Sequence, residues 1–265
     1  MPMVRSTAVF VAAAFASVAA FGQGSTAQAQ NAIDAAHELA QMLDNAAVDL
    51  SGDSLLSALQ GAAETGEPIA LWQLGLMYES GVGVEKDQAK AFGYFSRIAD
   101  EHADAPPRSL DADIVAQSFV KMGYYYSEGI PDAGIAADRA RAYGLLYHAA
   151  VYFGDADAQY RLFLSEQESG YLPAQSARWL ALAARKGHPG AQARLGQLMF
   201  SGEGVDAQPI EGLMWLNLAH RRSLGTSDEG WIREMADAAM SQADAGQIEA
   251  AIRAADTLGT QFTGY

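Results

Sequence analysis

Histidine and acidic side chains are the residues of this chain that could bind a metal or transfer protons. His37 is followed by glutamate, as in the zinc-protease motif, but the second histidine that this motif places four residues later is missing. Asp111 and Asp155 each begin an Asp-x-Asp pair, but neither pair is followed by the glycine and distal glutamate of a calcium loop. The sequence therefore predicts no metal site.

Nucleophilic and nucleotide-dependent chemistry also lack their usual residues. The chain has no cysteine, which excludes thiol nucleophiles, thiolate metal sites and disulfides. No serine stands in a Gly-x-Ser-x-Gly turn, and the glycine pairs at 81/83 and 202/204 lack the third glycine of a dinucleotide-binding motif. We predict a protein that is not an enzyme, has no catalytic residue and needs no cofactor. A hydrolase with a divergent site is the least favoured alternative.

The residues that recur at regular spacing belong to a repeat. Leu74 begins the phrase LGLMYESGVGV, and Leu195 begins the similar phrase LGQLMFSGEGV. A related unit is centred on Met122, and a degenerate one is centred on Leu162. Apolar residues at these steps share one helical face, and the following glycine and aspartate predict a turn and a second helix. The sequence predicts an all-α solenoid of about four hairpins, in which the recurring glycine permits close contact between helices.

The N-terminal residues have the composition of an export signal. Arg5 is the only charged residue before Asp34, the segment from Ala8 to Phe21 is apolar, and a small-x-small cleavage pattern ends at Ala29. We predict that the signal is removed and that the mature protein is periplasmic. An uncleaved membrane anchor is the alternative.

The predicted organisation has four parts, and the last of them covers the exposed apolar face of the final repeat. These parts are a cleaved signal peptide at 1–29, a weakly structured segment at 30–51, the helical repeats at 52–224 and C-terminal capping helices at 225–265.

The formal net charge of −15 indicates which partners to exclude. A surface this acidic repels nucleic acid and anionic lipid, so we predict no binding to nucleic acid and no membrane insertion after signal cleavage. The charge is compatible with a basic protein partner or simply with solubility.

The repeat resembles a known family. Its consensus is Ala-x3-Leu-Gly-x2-Tyr-x2-Gly-x-Gly-Val, followed by Asp-x3-Ala-x2-Tyr/Trp-Phe/Leu-x2-Ala-Ala, which is similar to the Sel-one-like repeat, a relative of the tetratricopeptide repeat. The likeness covers roughly residues 52–224; it is strong in the first and fourth units, fair in the second and poor in the third. It implies a right-handed α/α solenoid that binds other proteins.

A narrower resemblance rests on longer segments. ALWQLGLMY from Ala70, KAFGYFSRIA from Lys90, YYYSEGIPD from Tyr124 and YFGDADAQY from Tyr152 are similar to the ExoR-type exopolysaccharide regulators of alphaproteobacteria. This likeness implies a periplasmic protein that binds the sensor domain of a membrane histidine kinase and represses it. The alternative is a general periplasmic adaptor for cell-envelope enzymes or secretion machinery.

The first helix of each hairpin lines the concave face in this class of solenoid. Helical periodicity then predicts an apolar, aromatic stripe on that face, and such patches commonly bind proteins. The predicted partner-binding residues are Trp72, Leu76, Tyr124, Tyr160, Leu164 and Phe200. The alternative is that superhelical curvature or the N-terminal segment buries these side chains.

The segment from Glu101 to Asp113 contains a proline pair and several acids, and is predicted to be an exposed loop. The resemblance implies that proteolysis could regulate the protein there. It also implies that acid could weaken partner binding through carboxylates and through His102, His148, His188 and His220.

Overall fold

A computed structural model describes residues 52–171, 173–203 and 205–261 of the chain. The predicted signal peptide at 1–29 and the predicted weakly structured segment at 30–51 lie outside the described residues. Within the described part, no helix is both long enough and apolar enough to cross a membrane. This part of the chain forms eleven α-helices and contains no β-strand beyond a single isolated bridge.

The described residues divide into two compact units after Asp155. The first unit contains α1 (Gly52–Glu64), α2 (Pro68–Ser80), α3 (Gln88–Glu101), α4 (Ala112–Glu128) and α5 (Arg139–His148). The second contains α6 (Ala156–Glu168), α7 (Pro173–Arg185), α8 (Pro189–Ser201), α9 (Pro209–Ser223), α10 (Glu229–Gln242) and α11 (Ala245–Gln261). The division falls inside the range predicted to hold the repeats.

Each unit is built from helical hairpins. In the first unit α2 packs against α3 and α4 against α5, while α1 packs against α2 as a lone helix before the first hairpin. In the second unit α6 packs against α7 and α8 against α9, and both C-terminal helices pack against α9. The predicted all-α repeat fold with C-terminal helices is therefore confirmed. The degenerate third repeat also forms both helices of its hairpin.

The turn between α2 and α3 follows from its residues. Gly81 has a φ of 80°, a left-handed conformation that favours glycine, and its N–H donates to the carbonyl oxygen of Met77 at 2.8 Å. Asp87 then caps α3, because its carboxylate accepts a hydrogen bond from the backbone N–H of Lys90 at 2.9 Å. These two residues end one helix and begin the next, as the sequence predicts.

The recurring glycine brings α8 and α9 into close contact. A Cβ atom at Gly196 would lie 2.7 Å from the carbonyl oxygen of Gly212, and a Cβ atom at Gly212 would lie 2.6 Å from the backbone nitrogen of Phe200. Only hydrogen fits at either position without moving the backbone. The prediction that this glycine permits a close helix–helix contact is confirmed.

Two irregular segments lie in the first unit, a loop after α3 and a turn after α5. The predicted loop after Glu101 is present, with Pro106, Pro107 and Arg108 exposed, and the His102 imidazole lies within hydrogen-bond distance of the Gly66 carbonyl oxygen (3.0 Å). Helix α5 continues into a π-helical turn at Ala149–Phe153, for which the sequence carries no signal.

Candidate functional site

The first helices of the hairpins carry the predicted partner-binding residues. In the first unit these helices are α2 and α4, and in the second unit they are α6 and α8. In each unit, some of these side chains pack in the core and others remain accessible to a partner.

Trp72 packs in the core of the first unit, so its prediction as an exposed groove residue is wrong. It is only 9% exposed, and its ring lies 5.1 Å from that of Phe95 on the second helix of the same hairpin. Val120 and Ala193 hold the same repeat position and are also buried, whereas Tyr160, which holds it in the third repeat, is partly exposed. In the first hairpin this position faces the second helix, and helical periodicity alone does not fix that orientation.

The position one helical turn later is accessible. Tyr124 is 49% exposed, Leu76 and Leu164 are partly exposed, and the equivalent Gln197 is exposed. Tyr160 and Phe200 are also partly exposed. The accessible face is thus shifted by about one residue from the predicted one, and five of the six predicted residues retain some exposure.

A polar cluster stands beside Tyr124 in the first unit. The Lys121 ammonium pairs with the Glu79 carboxylate at 2.6 Å, and the Tyr125 hydroxyl donates to the other oxygen of Glu79 at 3.1 Å. Burial, together with the nearby charge of Glu79, raises the pKa of Tyr125 well above its usual value, so its phenol is neutral and remains a donor. This cluster fixes α2 against α4 beside the accessible aromatic residue.

A second polar cluster stands on α6 and α8 in the second unit. Tyr160 accepts a hydrogen bond from Nε of Arg194 at 2.9 Å, and its ring centroid lies 4.5 Å from the His188 imidazole. Burial raises the pKa of Tyr160, although the Arg194 charge opposes that shift. The Arg194 guanidinium also lies 5.4 Å from the ring centroid of Trp231 on α10.

Asp157 anchors the other side of this cluster. Its carboxylate pairs with Arg161 at 2.9 Å and lies 3.5 Å from Nε2 of His188. Burial alone would raise the pKa of Asp157, but Arg161 and His188 outweigh burial and hold it below its usual value. Nδ1 of His188 accepts the N–H of Ala191, so the proton of the neutral ring is on Nε2, facing Asp157.

A repeated cation, absent from the predicted site, stands beside the predicted residues. Lys121, Arg161 and Arg194 each stand immediately before the apolar residue that opens the Leu-Gly step of their repeat. All three are partly exposed on the first helix of their hairpins. Aligning the repeats one position earlier would have revealed this pattern.

Across the described residues, no group of three or more histidine or acidic side chains is arranged to hold a metal.

An exposed aromatic patch lies outside the predicted stripe. Tyr147 is 48% exposed, and Val151 and Tyr152 are 55% and 42% exposed, all on α5 or its π-helical extension. Tyr152 also stacks on the His148 imidazole at 5.2 Å. Tyr147 therefore matches Tyr124 in type and exposure but stands on the second helix of its hairpin.

Comparison with known proteins identifies the repeat. The Sel1 repeat model matches residues 68–102, 120–150, 156–188 and 189–221. A crystal structure of a Sel1 repeat protein from Oxalobacter formigenes is similar in fold, with a TM-score of 0.55 and 23% identity, over 76% of this chain and 83% of that one.

Two curated relatives extend the comparison beyond the repeat. The exopolysaccharide production negative regulator of Rhizobium meliloti (strain 1021) is 32% identical over 194 residues, covering 72% of this chain and 70% of the relative. The protein of the same name from Rhizobium leguminosarum bv. viciae is 29% identical over 211 residues, covering 78% of this chain and 76% of the relative.

Proposed function

The chain belongs to the Sel1 repeat family, and from that premise we propose that it is a regulator without enzymatic activity. It binds the periplasmic sensor domain of a membrane histidine kinase, represses the kinase and so limits exopolysaccharide production. This proposal rests on the similarity to a relative that is named a negative regulator of exopolysaccharide production. The two sequences are 32% identical, and the alignment covers 70% of the relative.

The accessible faces of the first helices support a protein-binding role. Tyr124 in the first unit and Leu164 and Phe200 in the second combine apolar area with partial exposure. Tyrosine side chains such as Tyr124 are enriched among the residues that dominate the energetics of protein interfaces. The Tyr124 ring contacts Tyr125 of the polar cluster that fixes α2 against α4, so this part of the surface is ordered before binding and less entropy is lost.

The N-terminal sequence supports a periplasmic location for the proposed encounter. Its apolar stretch and its small-x-small pattern ending at Ala29 are typical of a cleaved signal peptide. A sensor domain on the outer face of the inner membrane would then be within reach. Export is tested by N-terminal sequencing of the protein recovered from the periplasmic fraction, which should begin near Gln30.

A deletion strain tests the regulatory role. Removing the gene should raise exopolysaccharide, measured by calcofluor fluorescence of colonies, and a plasmid copy should restore the original level. Deleting the partner kinase as well should abolish the increase, because the kinase is the route by which the signal acts. Unchanged exopolysaccharide in the single deletion would contradict the proposal.

Purified sensor domains test the interaction itself. The periplasmic domains of the organism's membrane histidine kinases are titrated in turn into the purified full-length protein, and heat is measured. We expect one domain to bind, and Tyr124→Ser to weaken its binding about thirtyfold or more, the scale of an interface hot spot. Tyr147→Ser is the matched control and should leave the affinity unchanged. Binding of envelope enzymes or secretion proteins, with no sensor domain bound, would favour the general adaptor instead.

A further inference from the structure

The repeated cation before the Leu-Gly step is neutralised in two repeats. Lys121 pairs with Glu79 in the first unit, and Arg161 pairs with Asp157 in the second. Both cations are partly buried, and removing a charge from water without a counter-charge is unfavourable. A carboxylate from the same unit therefore accompanies the cation at this position.

Arg194 holds the same repeat position but has no carboxylate partner among the described residues. Its Nε donates to the neutral phenol of Tyr160, and its guanidinium lies over the ring of Trp231. In the described part of the chain, its two terminal nitrogens have no hydrogen-bond or ion-pair partner. The charge of Asp228 is close enough to raise the pKa of Tyr160, but no ion pair forms between Asp228 and Arg194.

Tyr160 and Trp231 hold this guanidinium in place. The Trp231 indole N–H donates to the Asp228 carboxylate at 2.9 Å, which fixes the ring beneath the cation. Tyr160 is itself packed against His188. The four N–H bonds of the terminal nitrogens form the fork that matches a carboxylate in two parallel hydrogen bonds. The Arg194 guanidinium is therefore partly desolvated and held in one orientation, and no carboxylate of the described residues pairs with it.

The surroundings of Arg194 favour a peptide over a small ion. Leu164 stands four residues after Tyr160 on the same face of α6 and is partly exposed. Gln197 stands three residues after Arg194 on α8 and is exposed. An acidic side chain at Arg194 would thus have an apolar surface and an amide within the length of a short peptide.

We propose that Arg194 binds a carboxylate on a peptide segment of a protein partner, with an apolar residue of that segment against Leu164. The inference rests on the proposed function, since it names the chemical feature that the partner must present. The segment supplies the counter-charge that Glu79 and Asp157 supply to the equivalent cations within this chain.

A peptide display experiment tests the inference without a known partner. A library of random dodecapeptides is selected against the immobilised full-length protein, Arg194→Gln and Arg233→Gln. Arg233 is an exposed arginine on α10, so its variant makes the same change in net charge. We expect wild type and Arg233→Gln to enrich one acidic position next to an apolar residue, and Arg194→Gln to lose that preference.

Affinities of the selected peptide give the decisive comparison. Replacing its acidic residue by the matching amide should weaken binding to wild type by about tenfold, the scale of a charge-assisted hydrogen bond. The same replacement should leave binding to Arg194→Gln unchanged. Arg194→Lys keeps the charge without the fork and should bind with intermediate affinity. Circular dichroism verifies that each variant is folded, and Arg194→Lys carries the test if Arg194→Gln is not.

Three results would overturn the inference. One is selection of the same acidic position by Arg194→Gln, and another is an equal loss of affinity in both proteins on acid-to-amide replacement. The third is an Arg194-dependent affinity for alginate, an acidic polysaccharide, with no peptide enriched. If a sensor domain binds the protein but none of its affinity depends on Arg194, this inference fails while the proposed function stands.

Discussion

The α-carbon of Gly196 faces the backbone carbonyl of Gly212 so closely that a Cβ atom would lie 2.7 Å from the oxygen. A methyl group there would also approach the backbone nitrogen of Leu216 at 2.9 Å. Because both neighbours are backbone atoms, relief requires α8 and α9 to separate. Gly196 is therefore required by the packing of α8 against α9.

Gly196→Ala should lower the free energy of unfolding by about 1–3 kcal/mol, the usual cost of overpacking a core. Gly144→Ala is the matched control, since Gly144 is exposed within α5 and its Cβ position meets no atom within 4 Å. That change should raise stability by up to about 1 kcal/mol through helix propensity. Urea denaturation followed by circular dichroism measures both, and equal effects of the two variants would contradict the packing account.

Truncating the side chain should lower the stability of the protein strongly at Trp72 and only slightly at Tyr124. Trp72→Ala should destabilise the protein by about 3–5 kcal/mol, because a buried ring is lost from its contact with Phe95. Tyr124→Ser should change stability by about 0.5 kcal/mol or less, because half of that side chain is already in solvent. Thermal unfolding of the two variants tests this assignment, and a large loss of stability in Tyr124→Ser would place Tyr124 in the core.

Asp157 should contribute stability at neutral and mildly acidic pH. Its pKa is lowered in the folded protein, so its contribution is fully present above its unfolded value near 3.8 and is lost as the pH falls below that value. Asp157→Asn should therefore be less stable than wild type by the same amount at about pH 7 and about pH 5.5. The difference should shrink below about pH 4. A difference that disappears by about pH 5.5 would contradict this assignment.

The loop after α3 should be a preferred site of cleavage. Arg108 is exposed beside two exposed prolines, between the end of α3 and the start of α4. Limited trypsin digestion should give a fragment that begins at Ser109, because cleavage requires a segment that can leave the folded surface. Arg108→Gln should remove that fragment and leave others unchanged. Cleavage within the helices while Arg108 remains intact would contradict the expectation.

Local signals in the sequence predicted much of the fold. The Leu-Gly steps located the first helices, Gly81 and Asp87 located a helix end and a helix start, and the repeated glycine predicted a close contact that Gly196 and Gly212 make. These features depend on residues near one another in the chain or on simple repetition. The π-helical turn after α5 has no comparable signature and was not predicted.

The candidate site was predicted less well, because it depends on how two helices of a hairpin face each other. Helical periodicity predicts which residues share a face, but it fixes the orientation of that face only to within about one residue. A rotation of that size separates a buried Trp72 from an exposed one. The contacts of Arg194 with Tyr160 and Trp231 join three helices, so no local pattern predicts them. The repeat register of the cation was visible in the sequence, but the missing carboxylate partner was visible only in the structure.

Autophosphorylation of the partner kinase tests the central claim most directly. The full-length kinase is reconstituted in liposomes with its sensor domain outward, and phosphate incorporation is measured with increasing amounts of this protein. We expect the rate to fall to a plateau at saturation, with Tyr124→Ser requiring a higher concentration for half of the effect and Tyr147→Ser matching wild type. A rate that is unchanged at saturating protein, while the sensor domain is bound, would contradict repression as the function of this chain.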